Sequence, residues 1–465
     1  MYMLKSFRFF ILFVIFFGSV HSQGITFSES MARVYDASQS VLIAEKQSER
    51  ASVLRKEISA MWYPTLTATG SYTYMSNDIE VRQEYSSLLT PFNNFFDKNF
   101  ITQELGNIIY NFLGDKTFTV KIQDQNWATA DLVLLYPIFM GGKRLYTQAI
   151  GKEIETIGVL GEEQARISVF LSWVEVYYGY QLSRESVEVR KAKYESLKGH
   201  YNQVLQFQRN GVATDMDCLL TKVAMDEAER EWKEAENTSQ AMQYALCRML
   251  GNDSLCGAVP LSPLFVCEHI PSKEWFLELS SQSPVLATLQ AKSVISEKNK
   301  NLAISEYFPN VAVFGKQTVA SYNVSENLMP RTLVGVTATW NIFDGLARER
   351  RIKQRKLEIE VSESQHKEAE QQLAVAISNA YYSLENAATT VKALDSTLVM
   401  TQELVRTREV AYKEGMATAA DVVDAQTTNA RISLLKLAAY YQYDLMLATL
   451  LSLCGETSYF EKWNK

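Results

Sequence analysis

The sequence predicts a two-repeat chain that combines very long α-helices with transmembrane β-strands. The first observation is a duplicated turn, because Gly415-Met-Ala-Thr418 has an upstream copy in Gly211-Val-Ala-Thr214. Gly211 and Gly415 differ by 204 positions, and so do the two threonines. The second observation is a long helical pattern before each turn, and the third is a pair of alternating segments before each helical pattern. A shared offset of this kind indicates an internal repeat.

The first repeat, residues 23–251, begins with a helical pattern and two strands. Apolar positions three or four apart predict a helix from Phe27 to Met61, which ends before Tyr63-Pro64 because the residue before proline avoids helical geometry. Strands are predicted over about 64–75 and 128–139. On the first strand the apolar face consists of Leu66, Ala68, Gly70, Tyr72 and Tyr74, with Thr and Ser between them. A long connection of residues 76–127, rich in aromatic residues, joins the strands.

A long helix completes the first repeat. It is predicted over about 143–208, where no proline occurs, and about 65 residues of helix would measure roughly 97 Å. The turn at its end, the first tip, covers residues 209–217. A second helix then runs from Thr214 to about Leu250. Helices of this length are typical of coiled coils rather than of compact domains.

The second repeat, residues 273–455, follows a linker of residues 252–272 and has the same order of elements. Its strands are predicted over about 310–321 and 332–343, its long helix over about 346–413 and its tip over 414–424. The long helix carries a heptad pattern at Leu373, Ile377, Ala380, Leu384, Ala387, Val391, Leu394 and Leu398. Residues 456–465 form a short tail.

Residues 1–22 are predicted to be a signal peptide. Lys5 and Arg8 precede an apolar run, Phe9 to Phe17, that is too short to span a bilayer, and Val20-His-Ser22 provides a cleavage site. The sequence has 46 basic and 53 acidic residues, so removing Lys5 and Arg8 leaves a more acidic chain. An acidic balance argues against nucleic acid as a partner.

Residues with catalytic or metal-binding chemistry are scarce. The five cysteines lack metal-ligand spacing, and no histidine is paired with a nucleophile in the sequence. We therefore expect neither an enzyme nor a resident metal or cofactor. Cys256 and Cys267 flank one short segment and could be bridged or free.

The four predicted strands of one chain are too few to close a barrel. An open sheet edge does not persist in lipid, and closure needs about eight strands or more. Several chains must then share one barrel, and three chains would supply twelve strands. The apolar strand faces would contact lipid, and the hydroxyl faces would line an aqueous lumen. The alternative is a small soluble sheet that packs on helices.

With these elements in place, the sequence resembles the TolC-like outer-membrane efflux proteins along the whole mature chain. The resemblance rests on both repeats, on the strand starts Tyr63-Pro64 and Phe308-Pro309, on the Phe-x-Gly strand ends, and on Tyr412 to Ala425. It implies a homotrimer with a twelve-stranded barrel in the outer membrane of a Gram-negative bacterium, in contact with outer-membrane lipid. A long α-helical coiled-coil tunnel would continue the barrel into the periplasm. The partners it implies are a periplasmic adaptor protein and an inner-membrane transporter.

The same resemblance assigns roles at the two tips. Asp421 and Asp424 match pore-entrance residues that form an acidic ring, which would attract cations. Tyr412 and Asp217 match gate contacts between neighbouring helices, and Ala417 stands where the best-known member has an Arg of the gate. The positions that match adaptor-docking tips are Gly211, Val212, Ala213, Gly415, Met416 and Ala417.

Simpler interpretations of these residues stay open. Gly211 and Gly415 are also ordinary helix-ending glycines, and Thr418 with Asp421 is close to a capping box. Capping does not account for Asp424. At the level of function, the sequence favours a passive export channel of a tripartite efflux system. The alternatives are the exit duct of a type I protein secretion system and a soluble periplasmic coiled-coil scaffold.

Overall fold

The chain is described here in a computed structural model over residues 24–84, 104, 108, 112, 116–251, 257–324 and 330–463. The predicted signal peptide and the aromatic segment around 92–100 lie outside the described residues. The chain divides into two compact units. A helical unit comprises Met1–Val53, Glu153–Ser293 and Glu360–Lys465, and a sheet unit comprises Leu54–Lys152 and Val294–Ile359.

Nine helices are assigned within the described residues, and two of them have 67 residues each. The helices are α1 Phe27–Ala37, α2 Gln39–Ser59, α3 Lys143–Arg209, α4 Asp215–Leu250, α5 Lys273–Leu279, α6 Pro284–Ser305, α7 Ala347–Lys413, α8 Ala419–Cys454 and α9 Ser458–Trp463. The helix predicted from Phe27 to Met61 is therefore two helices and a 3₁₀ turn. Ser38, between them, has the extended angles φ −74° and ψ 116°, which interrupt the helix.

The strands of the described chain form three sheets. They are β1 Gly24–Ile25, β2 Thr65–Tyr74, β3 Ile79–Glu84, β4 Thr117–Gln123, β5 Asn126–Met140, β6 Val259–Pro260, β7 Asn310–Tyr322 and β8 Thr332–Thr339. The main sheet has the order β2-β5-β7-β8, and all of its pairs are antiparallel. β8 ends four residues before the predicted end at 343. The predicted connection of residues 76–127 contains an additional hairpin, β3–β4, which the sequence patterns did not indicate.

The two faces predicted for single strands are continuous across the main sheet. On the apolar face Leu66 pairs with Leu134, Leu134 with Gly315, and Gly315 with Val334. On the polar face Thr69 pairs with Asp131, and Asp131 pairs with Thr318. Since strand side chains alternate between faces, this register places Leu66, Leu134 and Val334 on one side of the sheet, although Leu135, Phe314 and Leu333 lie on the other.

The core of the helical unit is aromatic. Phe27, Trp173, Tyr177, Tyr178 and Phe460 are fully buried and form part of one cluster with α7 and α8. Their polar atoms are satisfied, for example by the bond from the Tyr177 hydroxyl to the carbonyl oxygen of Ile25 at 2.8 Å. The middle of the predicted heptad pattern, Ile377 to Val391, is also buried at its apolar positions.

The structure decides between the two states that the sequence left open for Cys267. Cys267 is a free thiol, so it is not bridged to Cys256, which lies outside the described residues. Cys247, in contrast, is disulfide-bonded. Burial raises the pKa of the Cys267 thiol, and this keeps the thiol protonated and unreactive. No helix in the described part of the chain is long and apolar enough to cross a membrane.

Candidate functional site at the hairpin tips

The two helical hairpins of the helical unit end in turns of the same geometry. We call α3–α4 the first hairpin and α7–α8 the second hairpin. In the first, the N–H of Val212 donates to the carbonyl oxygen of Phe207 at 2.8 Å, and in the second Met416 donates to Ala411 at 2.8 Å. These bonds, with Gly211 and Gly415 at φ 75° and 76°, define Schellman motifs. A Cβ at either position would contact no other atom, so space is not the reason for glycine there. The glycines are needed for their left-handed backbone.

Each tip continues into a complete capping box. The Thr214 hydroxyl accepts from the N–H of Asp217 at 3.2 Å, and the Asp217 carboxylate accepts from the N–H of Thr214 at 3.0 Å. Thr418 and Asp421 repeat the arrangement at 3.2 and 2.9 Å. Asp217 and Asp421 are therefore structural caps, whatever further role they have. The carboxylates also lie at helix N-termini, where the helix dipole favours negative charge.

The two predicted entrance acids, Asp421 and Asp424, have different surroundings. Asp421 is partly buried, and its carboxylate lies 3.5 Å from the guanidinium of Arg408 on α7. Hydrogen bonds from the backbone and side chain of Thr418, assisted by Arg408, hold the pKa of Asp421 below its usual range. Asp424 is exposed and forms no ion pair or hydrogen bond within the described residues. Its charge is thus the less compensated of the two.

A second polar contact joins the helices of the second hairpin. The amide nitrogen of Gln426, on α8, donates to the carboxylate of Glu409, on α7, at 2.9 Å. Gln426 is buried, and its amide oxygen has no hydrogen-bond partner in the described structure. Losing the bond to Glu409 would leave the amide nitrogen of this buried side chain unpaired as well, and burying an unpaired polar atom is costly. The bond is therefore a specific constraint on how α7 and α8 align.

Tyr412 is buried between the two hairpins. Its ring stacks on Phe207 with 5.6 Å between centroids and packs in one cluster with Val204, Ala419 and Val422. Burial raises the pKa of the Tyr412 phenol, and the Asp217 carboxylate adds to the effect. The structure gives no hydrogen bond between Tyr412 and Asp217 within one chain. The predicted gate pair is therefore close enough for an electrostatic effect but is not directly bonded.

His200, on α3, belongs to this site although the sequence did not suggest it. Its Nε2 donates to the carbonyl oxygen of Ala419 at 3.1 Å, and its ring meets Tyr412 edge-on with 4.9 Å between centroids. His200 lies four and seven positions before Val204 and Phe207, and hence on the same helix face. That spacing is a signal the sequence contained. The partners on α7 and α8, more than two hundred positions away, were not visible.

The tip residues that match docking positions point in two directions. Val212 and Met416 are 72% and 71% exposed, respectively, so each hairpin presents one apolar side chain to solvent just after its glycine. Ala213 and Ala417 instead pack against the cluster around Tyr412. Within the described residues, no group of three or more His, Cys, Asp or Glu could hold a metal ion.

A comparison with protein-family models finds one family over most of the chain. The family described as "Outer membrane efflux protein" matches residues 33–252 and 277–456, which correspond to the two repeats. No curated protein sequence matches the chain.

Solved structures with the same fold are numerous. A membrane protein from Pseudomonas aeruginosa is 16% identical, with a TM-score of 0.73, and the match covers 92% of this chain and 90% of that one. VceC from Vibrio cholerae is 13% identical, with a TM-score of 0.70 and coverage of 93% and 96%. The CmeC outer membrane channel of Campylobacter jejuni is 14% identical, with a TM-score of 0.71 and coverage of 94% and 90%. At identities this low, the matches establish the fold alone.

Proposed function

Because the chain belongs to the outer membrane efflux protein family, we propose that it is the outer-membrane channel of a tripartite efflux system. It is a passive duct that receives cargo from the periplasm or an inner-membrane pump and releases it outside the cell. A periplasmic adaptor protein connects the channel to the pump.

The observation that carries this proposal is the two-faced main sheet. Its apolar face is exposed in the single chain, with Leu66 67% and Val334 72% accessible. Exposed aromatic side chains stand at both ends, with Tyr63 and Trp340 at one and Tyr72 at the other. Aromatic residues concentrate where a bilayer meets water, and β2, at ten residues, has the length of a membrane-spanning strand. Outer-membrane lipid is thus the natural contact of this face.

The open edges of the main sheet support a trimer. β2 and β8 are the edge strands of the main sheet within one chain, and each leaves a row of backbone groups unpaired. If β8 of one copy pairs with β2 of the next, three copies close a ring of twelve strands. The polar faces, with their rows of Thr and Ser, then line the lumen.

The hairpin tips provide the gate and the docking points. We assign the pore entrance to Asp424, with Asp421 as a weaker contributor because Arg408 compensates its charge. Tyr412 and Asp217 act as gate contacts, Tyr412 through its packing and Asp217 through the cap it forms. The exposed side chains of Val212 and Met416, beside Gly211 and Gly415, meet the adaptor, whereas Ala213 and Ala417 support the turns from inside.

Single-channel recording in a planar bilayer tests the function. We expect the purified protein to form pores, and Asp421→Ala with Asp424→Ala to raise conductance and to reduce block by cations. Asp395→Ala is the control, because Asp395 lies on α7 and pairs with Lys436 outside the tip cluster. Absence of conductance in both the native protein and the double variant would contradict the duct. A monomer with no heat-modifiable trimer would instead favour the soluble scaffold.

A further inference from the structure

His200 is a polar side chain that joins the two hairpins at their tips. It lies on the first hairpin, and both of its partners, Ala419 and Tyr412, belong to the second. A carbonyl oxygen can only accept, so Nε2 carries the proton in this bond, and the neutral ring has its lone pair on Nδ1. The residue is 5% exposed. The contact therefore exists only while the two hairpins pack against each other as they do in this structure.

The charged and titratable groups around His200 come from three helices. Tyr412 contacts the ring and Glu409 acts on it electrostatically, both from α7. Asp217 and Cys218, on α4, act on Tyr412, and Arg408 on α7 pairs with Asp421 on α8. Glu409 already accepts from Gln426, and Asp421 is held by Thr418 and Arg408. His200 supplies the imidazole of this set, the side chain whose ordinary pKa of about 6.5 lies nearest to neutral pH.

We propose that His200 is a positioning residue that latches the tip of the second hairpin onto the first, and that protonation of its ring releases the latch. This inference rests on the proposed function, since the movement it controls is opening of the duct. Protonation leaves the bond from Nε2 to Ala419 possible but places a positive charge on a buried ring beside Ala419 and Tyr412, which belong to the apolar cluster with Val204 and Val422. Movement of the second hairpin would return that charge to water.

The direction of the pH effect follows from linkage. Burial lowers the pKa of His200, and the Ala419 carbonyl and Glu409 offset this only in part. The packed arrangement of the hairpins therefore binds fewer protons than one in which they separate and the ring is hydrated at its ordinary pKa of about 6.5. The neutral buried ring therefore stabilises the packed hairpins above about pH 6.5, and this stabilisation is lost as the pH falls below that value. Acidification from pH 7.5 to 5.5 favours opening by up to about tenfold per chain.

The experiment records single-channel conductance of the full-length protein between pH 7.5 and 5.5. We expect the native channel to open as the pH falls. His200→Gln retains an amide donor for Ala419 but does not titrate, so it should stay closed across the range. His200→Ala loses both the bond and the ring contact and should open at every pH. His366→Gln is the control, because His366 lies on α7 beside Glu370 and should leave the native response unchanged.

The outcomes separate the latch from the duct itself. Pores whose pH response is the same in His200→Gln as in the native protein would overturn the latch while supporting the channel. A native conductance that does not change with pH would also overturn it. A heat-modifiable trimer on gels confirms that each variant has folded, and the two substitutions predict opposite conductances, so a general loss of folding cannot imitate the expected result.

Discussion

The imidazole of His200 and the phenol ring of Tyr412 lie edge to face, 4.9 Å apart and inclined at 76°. The two residues come from different repeats of the chain, and each is buried by the other's hairpin. This geometry places the weakly positive edge of one ring against the electron-rich face of the other. The tips are thus held by packing within each chain, in addition to any contact between chains.

Tyr412 should act through its ring rather than its hydroxyl. The ring is 8% exposed and stacks on Phe207, whereas its hydroxyl has no hydrogen bond to Asp217. We expect Tyr412→Ala to cost about 3 kcal/mol of local stability, in the range for a buried aromatic residue, and to raise conductance. Tyr412→Phe should have little effect on either. Hydrogen exchange of the first turn of α8 measures the local effect. A Phe variant as open as the Ala variant would show that the hydroxyl carries the gate.

Asp424 should determine cation preference more strongly than Asp421. Arg408 lies 3.5 Å from Asp421, whereas Asp424 has no partner among the described residues. Asp424→Asn should therefore reduce cation selectivity more than Asp421→Asn does. The reversal potential in a potassium chloride gradient measures this selectivity. Arg408→Gln should increase it, because the charge of Asp421 is then uncompensated. Equal effects of the two Asn variants would contradict the different surroundings of the two acids.

Gly415 should be replaceable only at the cost of backbone strain. Its φ of 76° is unfavourable for a residue with a Cβ, although no atom would obstruct that Cβ. We expect Gly415→Ala to destabilise the second tip by about 1–2 kcal/mol. Gly161→Ala is the matched control, since Gly161 lies inside helix α3 with open space and no positive φ. That substitution should stabilise the protein by about 0.5–1 kcal/mol. Thermal unfolding and proteolysis at the tip distinguish the two.

Lys316 should mask a negative charge on the polar face of the main sheet. Its ammonium lies 2.9 Å from the carboxylate of Asp131, which also accepts from Thr318 at 2.6 Å and Thr129 at 3.1 Å. Lys316→Met leaves that carboxylate without its ion pair, so the thermal midpoint should fall and cation selectivity should increase. Adding Asp131→Asn should reverse the change in selectivity. A Lys316→Met channel with native selectivity would mean that this face does not line the lumen.

The elements that the sequence predicted well depend on local or repeated patterns. Alternation along β2 and β5 identified the apolar face before their register was known, and the offset between Gly211 and Gly415 identified both tips. The break at Ser38 was missed because its flanking residues keep a helical pattern. The hairpin β3–β4 lies in a stretch whose aromatic-rich composition predicts only a long connection.

The repeat, the two long helices, the two-faced strands and the turns follow from the sequence alone, because each depends on residues close together in the chain or at one fixed offset. Which charges are compensated and which side chains meet at the tips depends instead on tertiary packing. Arg408 and Asp421 are thirteen positions apart, and His200 and Ala419 are separated by more than two hundred. Such contacts depend on how one hairpin packs against the other, and no local pattern encodes that packing.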